Sequence, residues 1–388
     1  MPATNSETRA LIIVNGRCLI PGEGLVETNI RCENGIIASI GTNVPKRGSL
    51  IHDADGAIVL PGIVDIHGDA FERQIMPRPK TLFPVDIALL DTDRQLVSNG
   101  ITTAYHGVTV SWEPGLRSLG SARAIITALD SLEPRLGADN RLHLRWETFA
   151  LDTIDDVTKL FSRSKKPVLA FNDHTTPSMV GLRAPTKLQG AAERAQMDVD
   201  DYMVAMQRIW SRRDDVPQGL ERIAGAARTH GVPLLSHDDR TAKERTSYRA
   251  LGAVVTEFPM TEDALEAAHR GADPVVLGAP NVMRGRSHNG ALDATAAVRS
   301  GRCSILASDY YYPAPLHAAL KIAGDDLNDM EKAWALVSRN PARAAGLDDR
   351  GDLAQGLRAD LIVVDDQQVT FAVVAGRPAM QFDSTSKR

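Results

Sequence analysis

The sequence predicts an α/β fold, a (β/α)8 barrel with a small β domain built from both chain ends, and three observations carry that prediction. Short apolar runs alternate with helix-sized stretches through the middle of the chain. β-rich runs broken by turn residues occupy the two ends. Nearly every central run finishes on a polar or charged residue. Alternation is what parallel strands need, because each must return by a crossover before the next can pair. The polar endings favour a closed barrel over a doubly wound open sheet, since in a barrel they converge on one mouth.

Taken in order, residues 10–60 read as LIIVNG, CLIPGEG, NIRCENGIIASIG and AIVLPG. Asn-Gly and Gly-rich breaks between alternating apolar residues are hairpin signals. The same texture returns only in DLIVVDDQQVTFAVVAGRPAM, so residues 1–60 and 350–388 are expected to form the small domain and 61–349 the barrel. The eight central strand candidates are GIVDIH, GITTAYHGV, LHLRWETF, PVLAFNDH, VPLLSHDD, AVVTEFP, DPVVLGAPN and CSILASD. The longest connection runs from Thr175 to Gly231. Its opening stretch, TTPSMVGLRAPTKLQGAAERAQ, is too polar and too broken by Pro and Gly for a simple helix, and suits a lid over the mouth.

Composition narrows the function classes. A chain of 388 residues, 43% hydrophobic and 24% charged, can bury a large core. Its formal net charge of -5 argues against nucleic-acid binding, which rests on a basic footprint, so an anionic ligand must be held by local cations. Cys18, Cys32 and Cys303 lack CxxC spacing, which suggests neither a disulfide framework nor a thiolate zinc site. MPATNSETRALIIVNG shows no basic-then-apolar leader pattern, and no apolar run approaches the roughly 18 residues of a membrane helix. A cytoplasmic protein without membrane or nucleic-acid partners is expected; association into a homo-oligomer stays open.

The chemistry sits at the strand ends. His67 and Asp69 flank a glycine after IVDI, so in an extended chain both side chains share a side and can chelate one ion. Glu147 ends the third strand, Asp173 and His174 the fourth, His237 with Asp238 and Asp239 the fifth, Glu257 the sixth and Asp309 the eighth. Imidazole nitrogens and carboxylate oxygens are the ligand set for zinc, manganese or iron, and two ions would need a bridging carboxylate. No lysine ends a strand, which leaves Glu147 as the bridge. The metal set is therefore His67, Asp69, Glu147, His174, His237 and Asp309, for one or two divalent ions with zinc as first choice. Asp173, Asp238 and Glu257 stand behind them. The competing reading is that such acids cap the helices that follow. For Asp309 a catalytic role is stronger, because a carboxylate beside a water can take its proton during attack.

VLPGIVDIHGD after a β-rich segment resembles the amidohydrolase superfamily, whose members carry His-x-His at that place. Here Asp69 replaces the second histidine. HGDAFERQIMPRP, FNDHT, SHDD, TEFP, LGAPNVMRGRSHNG and ASDYYYP together are similar to one branch, the PhnM family of alpha-D-ribose 1-methylphosphonate 5-triphosphate diphosphatases, from about residue 10 to 378. The resemblance implies a distorted TIM-like barrel with a flanking β-sandwich, one or two divalent metals, and release of pyrophosphate from a ribose 5-triphosphate. Where many members have a histidine after strand six this chain has Glu257, which leaves the second metal open. An amide or cyclic-amide hydrolase, or a barrel without chemistry, are the alternatives.

Cations at the expected mouth agree with an anionic, phosphorylated substrate, because arginine forks match phosphate oxygens. Arg284, Arg286 and His288 in the Gly-broken loop NVMRGRSHNG are the first candidates, and Arg78, held between two prolines, is the next. Arg73 and Lys243 read as ordinary solvated charges, and His106 and His317 as structural.

Overall fold

The protein is described by a computed structural model covering residues 9–45, 47–182, 185–285, 292–324, 327 and 329–382. Sixteen strands form two sheets among these residues. From the N-terminal segment come β1 (Leu11–Ile20), β2 (Gly24–Glu33), β3 (Ile36–Ile40), β4 (Leu50–Asp53) and β5 (Ile58–Pro61). The barrel follows with β6 (Ile63–Gly68), β7 (Ile101–Val110), β8 (Asp139–Glu147), β9 (Val168–Asn172), β10 (Leu234–His237), β11 (Ala253–Glu257), β12 (Val275–Gly278) and β13 (Ile305–Ala307). At the C-terminal end lie β14 (Leu361–Asp365), β15 (Gln368–Val374) and β16 (Arg377–Gln381).

All eight central runs become neighbouring parallel strands in sequence order from β6 to β13. The ends pair as the turn signals suggest. β14 runs antiparallel to β5, and the sheet continues β16-β15-β14-β5-β1-β2-β3 with β4 alongside β1. Arg350 ties this sheet to the barrel base. Its buried guanidinium donates to Asp139 on β8 at 2.7 Å and to Thr103 on β7 at 2.9 Å, with Asp360 at 3.7 Å.

Most barrel strands are buried along nearly their whole length, which is why they read as largely apolar runs. Ile66, Tyr105, Ala170, Leu235, Val255 and Ile305 belong to one apolar cluster fed by seven of the strands and plug the barrel. Helices cover the outside, and some start on side-chain caps: Thr241 accepts from the Glu244 N–H, Thr261 from Ala264 and Asp293 from Ala296. The long connection after β9 is more helical than its composition suggests. It holds helices Thr175–Met179, Pro185–Arg194, Val199–Trp210 and Val216–His230, the first two separated around Gly181, whose φ of 73° only glycine adopts easily. An apolar stripe of Ala191, Ala192, Ala195, Tyr202 and Met206 supplies the packing that its polar start lacks.

The barrel closes at its catalytic-type end. β13 meets β6 through a parallel bridge between Asp309 and Gly68. The Asp309 N–H donates to the His67 carbonyl and the Asp69 N–H donates to the Asp309 carbonyl, each at 2.9 Å. Beneath them the Ser308 N–H and hydroxyl donate to the buried Asp65 carboxylate at 2.9 and 2.5 Å.

Candidate metal centre

β8 supplies the interior of the site by simple alternation. Leu142, Leu144 and Trp146 pack outward against the helices, which turns His143, Arg145 and Glu147 into the barrel. There His143 meets the His67 ring edge-on, with centroids 4.8 Å apart, and the His67 and His237 rings lie 5.3 Å apart. Glu257 joins them: His67 Nδ1 lies 3.3 Å from one of its oxygens and His143 Nε2 3.3 Å from the other, the latter without hydrogen-bond geometry. Arg145 reaches across, donating from Nη1 to Asp69 Oδ2 at 3.1 Å and lying with Nη2 3.4 Å from His237 Nε2.

A second side of the site forms around His174. Its Nδ1 lies 3.5 Å from Glu147 Oε2 and its Nε2 4.0 Å from Asp238 Oδ2, while His237 Nδ1 lies 3.4 Å from Asp238 Oδ1. Glu147 accepts from the His174 and Thr175 N–H groups and from the Thr175 hydroxyl, so its carboxylate is aimed by the start of the next helix.

Three trios bring one nitrogen or oxygen from each residue within 4.8 Å of one another: His67, His237 and Glu257; His174, His237 and Asp238; and His67, Asp69 and Asp309. The donor chemistry fits a divalent cation. Burial, reinforced by His143 and Arg145, holds His67 well below the usual imidazole range, which favours the neutral form that a cation could bind. His143 is lowered in the same way by burial, Arg145 and His237. Burial pushes Asp309 up to about 8, with Asp69 adding to it, and Glu147 up to about 8, with Asp173 adding to it. Glu257 and Asp69 are raised by burial as well. Only Asp238 is lowered: although burial opposes its charge, His237, His174 and Arg145 outweigh that. Several buried carboxylates crowd beside neutral imidazoles with the single charge of Arg145 against them, and a divalent ion would supply further positive charge.

The helix-cap reading separates these acids. Asp173 does cap, accepting from the Thr176 N–H at 2.8 Å. Asp238, Glu257 and Asp309 do not, since the helices after β10 and β11 are capped by Thr241 and Thr261 and the one after β13 starts at Pro313 without a side-chain cap. Asp239 turns away to Ser236, Thr256 and the buried Arg245. Asp238 and Asp309 also hold left-handed φ angles of 61° and 54°, a conformation that is uncommon for non-glycine residues but that Asp tolerates better than most.

Among the cations, Arg284 lies with Nη1 3.5 Å from the Tyr310 hydroxyl, next to Asp309. Arg286 and His288 lie outside the described residues. Arg78 sits in an exposed turn, bridged to Thr81. Arg73, read as a surface charge, donates to the Tyr310 carbonyl. His106 is structural as expected, its Nε2 2.6 Å from Asn140 Oδ1. Sequence reasoning missed His143 and Arg145. The signal was available, because LHLRWE places polar residues at every second position of an otherwise apolar strand, ending on the Glu147 already singled out.

No family model matches the chain. It is 31% identical over 364 residues to the alpha-D-ribose 1-methylphosphonate 5-triphosphate diphosphatase of Escherichia coli, covering 91% of this chain and 94% of that protein. An adenine deaminase of Brucella suis is 27% identical over 92% of this chain, but the match spans only 54% of the deaminase. In structure, an amidohydrolase from a Sargasso Sea environmental sample superposes with a TM-score of 0.67 at 16% identity, covering 96% of this chain and 93% of that one. The chain shares its fold with solved amidohydrolases and is a hydrolase that belongs to the alpha-D-ribose 1-methylphosphonate 5-triphosphate diphosphatase family.

Proposed function

We propose that the protein hydrolyses a phosphoanhydride bond in a ribose 5-triphosphate carrying a phosphonate at carbon 1, releasing pyrophosphate and leaving the 5-phosphate. The observation that carries this reading is the near full-length likeness to the Escherichia coli diphosphatase, joined to a site with histidine and carboxylate donors at the barrel mouth.

His67, Asp69, His174, His237 and Asp309 would hold the metal, with Glu147 beside His174 and with Asp238 and Glu257 completing two of the trios. When bound, a divalent ion of the zinc, manganese or iron class supplies Lewis acidity toward water and phosphoryl oxygen. The rest falls to the chain. Asp309 takes a proton from water as the water oxygen bonds to phosphorus and the anhydride oxygen leaves with pyrophosphate. A carboxyl group raised toward about 8 is well matched to gain and return a proton near neutrality. Arg284 beside Tyr310, with Arg286, His288 and Arg78, provides cations for the polyphosphate. Asp173 holds the turn that presents His174.

Purified protein given ribose 1-methylphosphonate 5-triphosphate should release pyrophosphate in equal amount to the 5-phosphate product. Absence of pyrophosphate alongside turnover of adenine or of an N-acyl or ring amide would move the protein to another branch of the superfamily.

The raised carboxyls also predict a pH signature. Glu147 and Asp309 hold protons in the folded metal-free chain up to about pH 8 but lose them near 4 when unfolded. Between those limits the folded state binds more protons, so stability falls as pH rises. From pH 7 to 8 the two groups together remove about 2 kcal/mol, while the lowered histidines, already neutral in both states, contribute little. Scanning calorimetry should show metal-free protein melting a few degrees lower at pH 8 than at pH 7, and added zinc should raise the melting point more at pH 8. An equal gain at both pH values would contradict protonated carboxyls at the site.

A further inference from the structure

We propose that the Arg145 guanidinium stands in for a second metal ion, so that the chain holds one divalent cation and not two. This rests on the metal-dependent reading above and deepens it.

The three trios overlap. His237 is shared by the first two, and His67 by the first and third, so the only pair without a common residue is His174, His237 and Asp238 together with His67, Asp69 and Asp309. Two ions held by complete trios of the described residues would have to use that pair. Arg145 lies between them. One end of its fork is 3.1 Å from the Asp69 oxygen of one trio and the other is 3.4 Å from the His237 nitrogen of its partner. The side chain is 5% exposed, so it cannot swing into solvent without opening the barrel interior.

The group is suited to replace an ion. Guanidinium is charged at every working pH and carries donors but no lone pair, so it competes with a metal for acceptors and never ligates one. Two dications flanking a buried fixed cation repel it, and each other, in a poorly screened interior. The backbone makes room for the arrangement at Gly107 on β7, where an added Cβ would lie 3.1 Å from Arg145 Cδ and 3.6 Å from Asp69 Cβ. A guanidinium fixed there gives an anionic substrate the second positive centre that a second ion would otherwise supply, and adds the planar fork that matches phosphoryl oxygens.

The test counts metal and needs no turnover. Wild-type, Arg145→Lys and Arg145→Gln proteins are saturated with zinc, freed of excess by gel filtration and analysed for metal per chain, with circular dichroism melts to check folding. Wild type and Arg145→Lys, which keep the charge, should retain one ion, and Arg145→Gln should retain two. Two ions on the wild type or on Arg145→Lys would overturn the proposal, as would a folded Arg145→Gln that still holds one. If Arg145→Gln does not fold, the counts on the other two proteins decide. A chain that holds one ion but releases no pyrophosphate would sink the diphosphatase reading and leave this one standing.

Discussion

Replacing Asp309 with Asn is expected to lower turnover by about 10²- to 10⁴-fold, the usual contribution of a positioned general base, with little change in bound metal. The side chain changes one oxygen for an amide, so shape and volume persist. The backbone bonds that Asp309 makes to His67 and Asp69 are untouched, and barrel closure should survive. His67 and Asp69 remain as donors for the ion, which separates loss of the base from loss of the metal. Steady-state kinetics read beside elemental analysis should show kcat falling and metal per chain near the wild-type value. A variant within tenfold of wild-type turnover would remove Asp309 from the chemistry. One that loses its metal would make Asp309 chiefly a ligand.

His237→Ala should fail the other way, because His237 belongs to two of the three trios and no neighbouring imidazole can take its place in both. Its removal strips a donor and leaves Asp238 without the partner that does most to hold it ionised. Metal affinity should fall by about 100-fold or more, and activity with it. The same protein should melt at nearly one temperature with or without added zinc, whereas wild type gains. Full metal content in the alanine variant would show that the ion sits elsewhere among these donors.

Which parts of the site were legible depended on how local their signals are. Each barrel strand announces itself as an apolar run because both of its faces are buried, and the residue that follows is polar because it stands at the mouth. His67, His174, His237 and Asp309 could be picked out on that ground alone. The pairing of the chain ends was legible as a texture, since only residues 10–60 and the last stretch share hairpin turns. Arg145 was hidden by its surroundings: within LHLRWE it looks like a charge on a half-exposed strand, and only alternation across the whole strand turns it inward. Glu257 was visible, but not its two contacts with His67 and His143, which join residues far apart in the chain and leave no trace in local sequence. The left-handed turns at Asp238 and Asp309 are likewise set by tertiary structure. The helices between Thr175 and Trp210 were obscured because their apolar stripe is made largely of alanines.

The barrel is stitched shut at residues of the proposed metal site. Across the last gap between strands the Asp309 N–H donates to the His67 carbonyl and its own carbonyl accepts from the Asp69 N–H, while the Asp69 and Asp309 carboxylates lie within reach of one ion. The lifetime of an intact site is therefore bounded by the opening rate of this seam: any fluctuation that unzips the first and last strands also scatters the ligands. An ion held by side chains from both sides would act as a rivet across this joint, so occupancy and closure would rise and fall together.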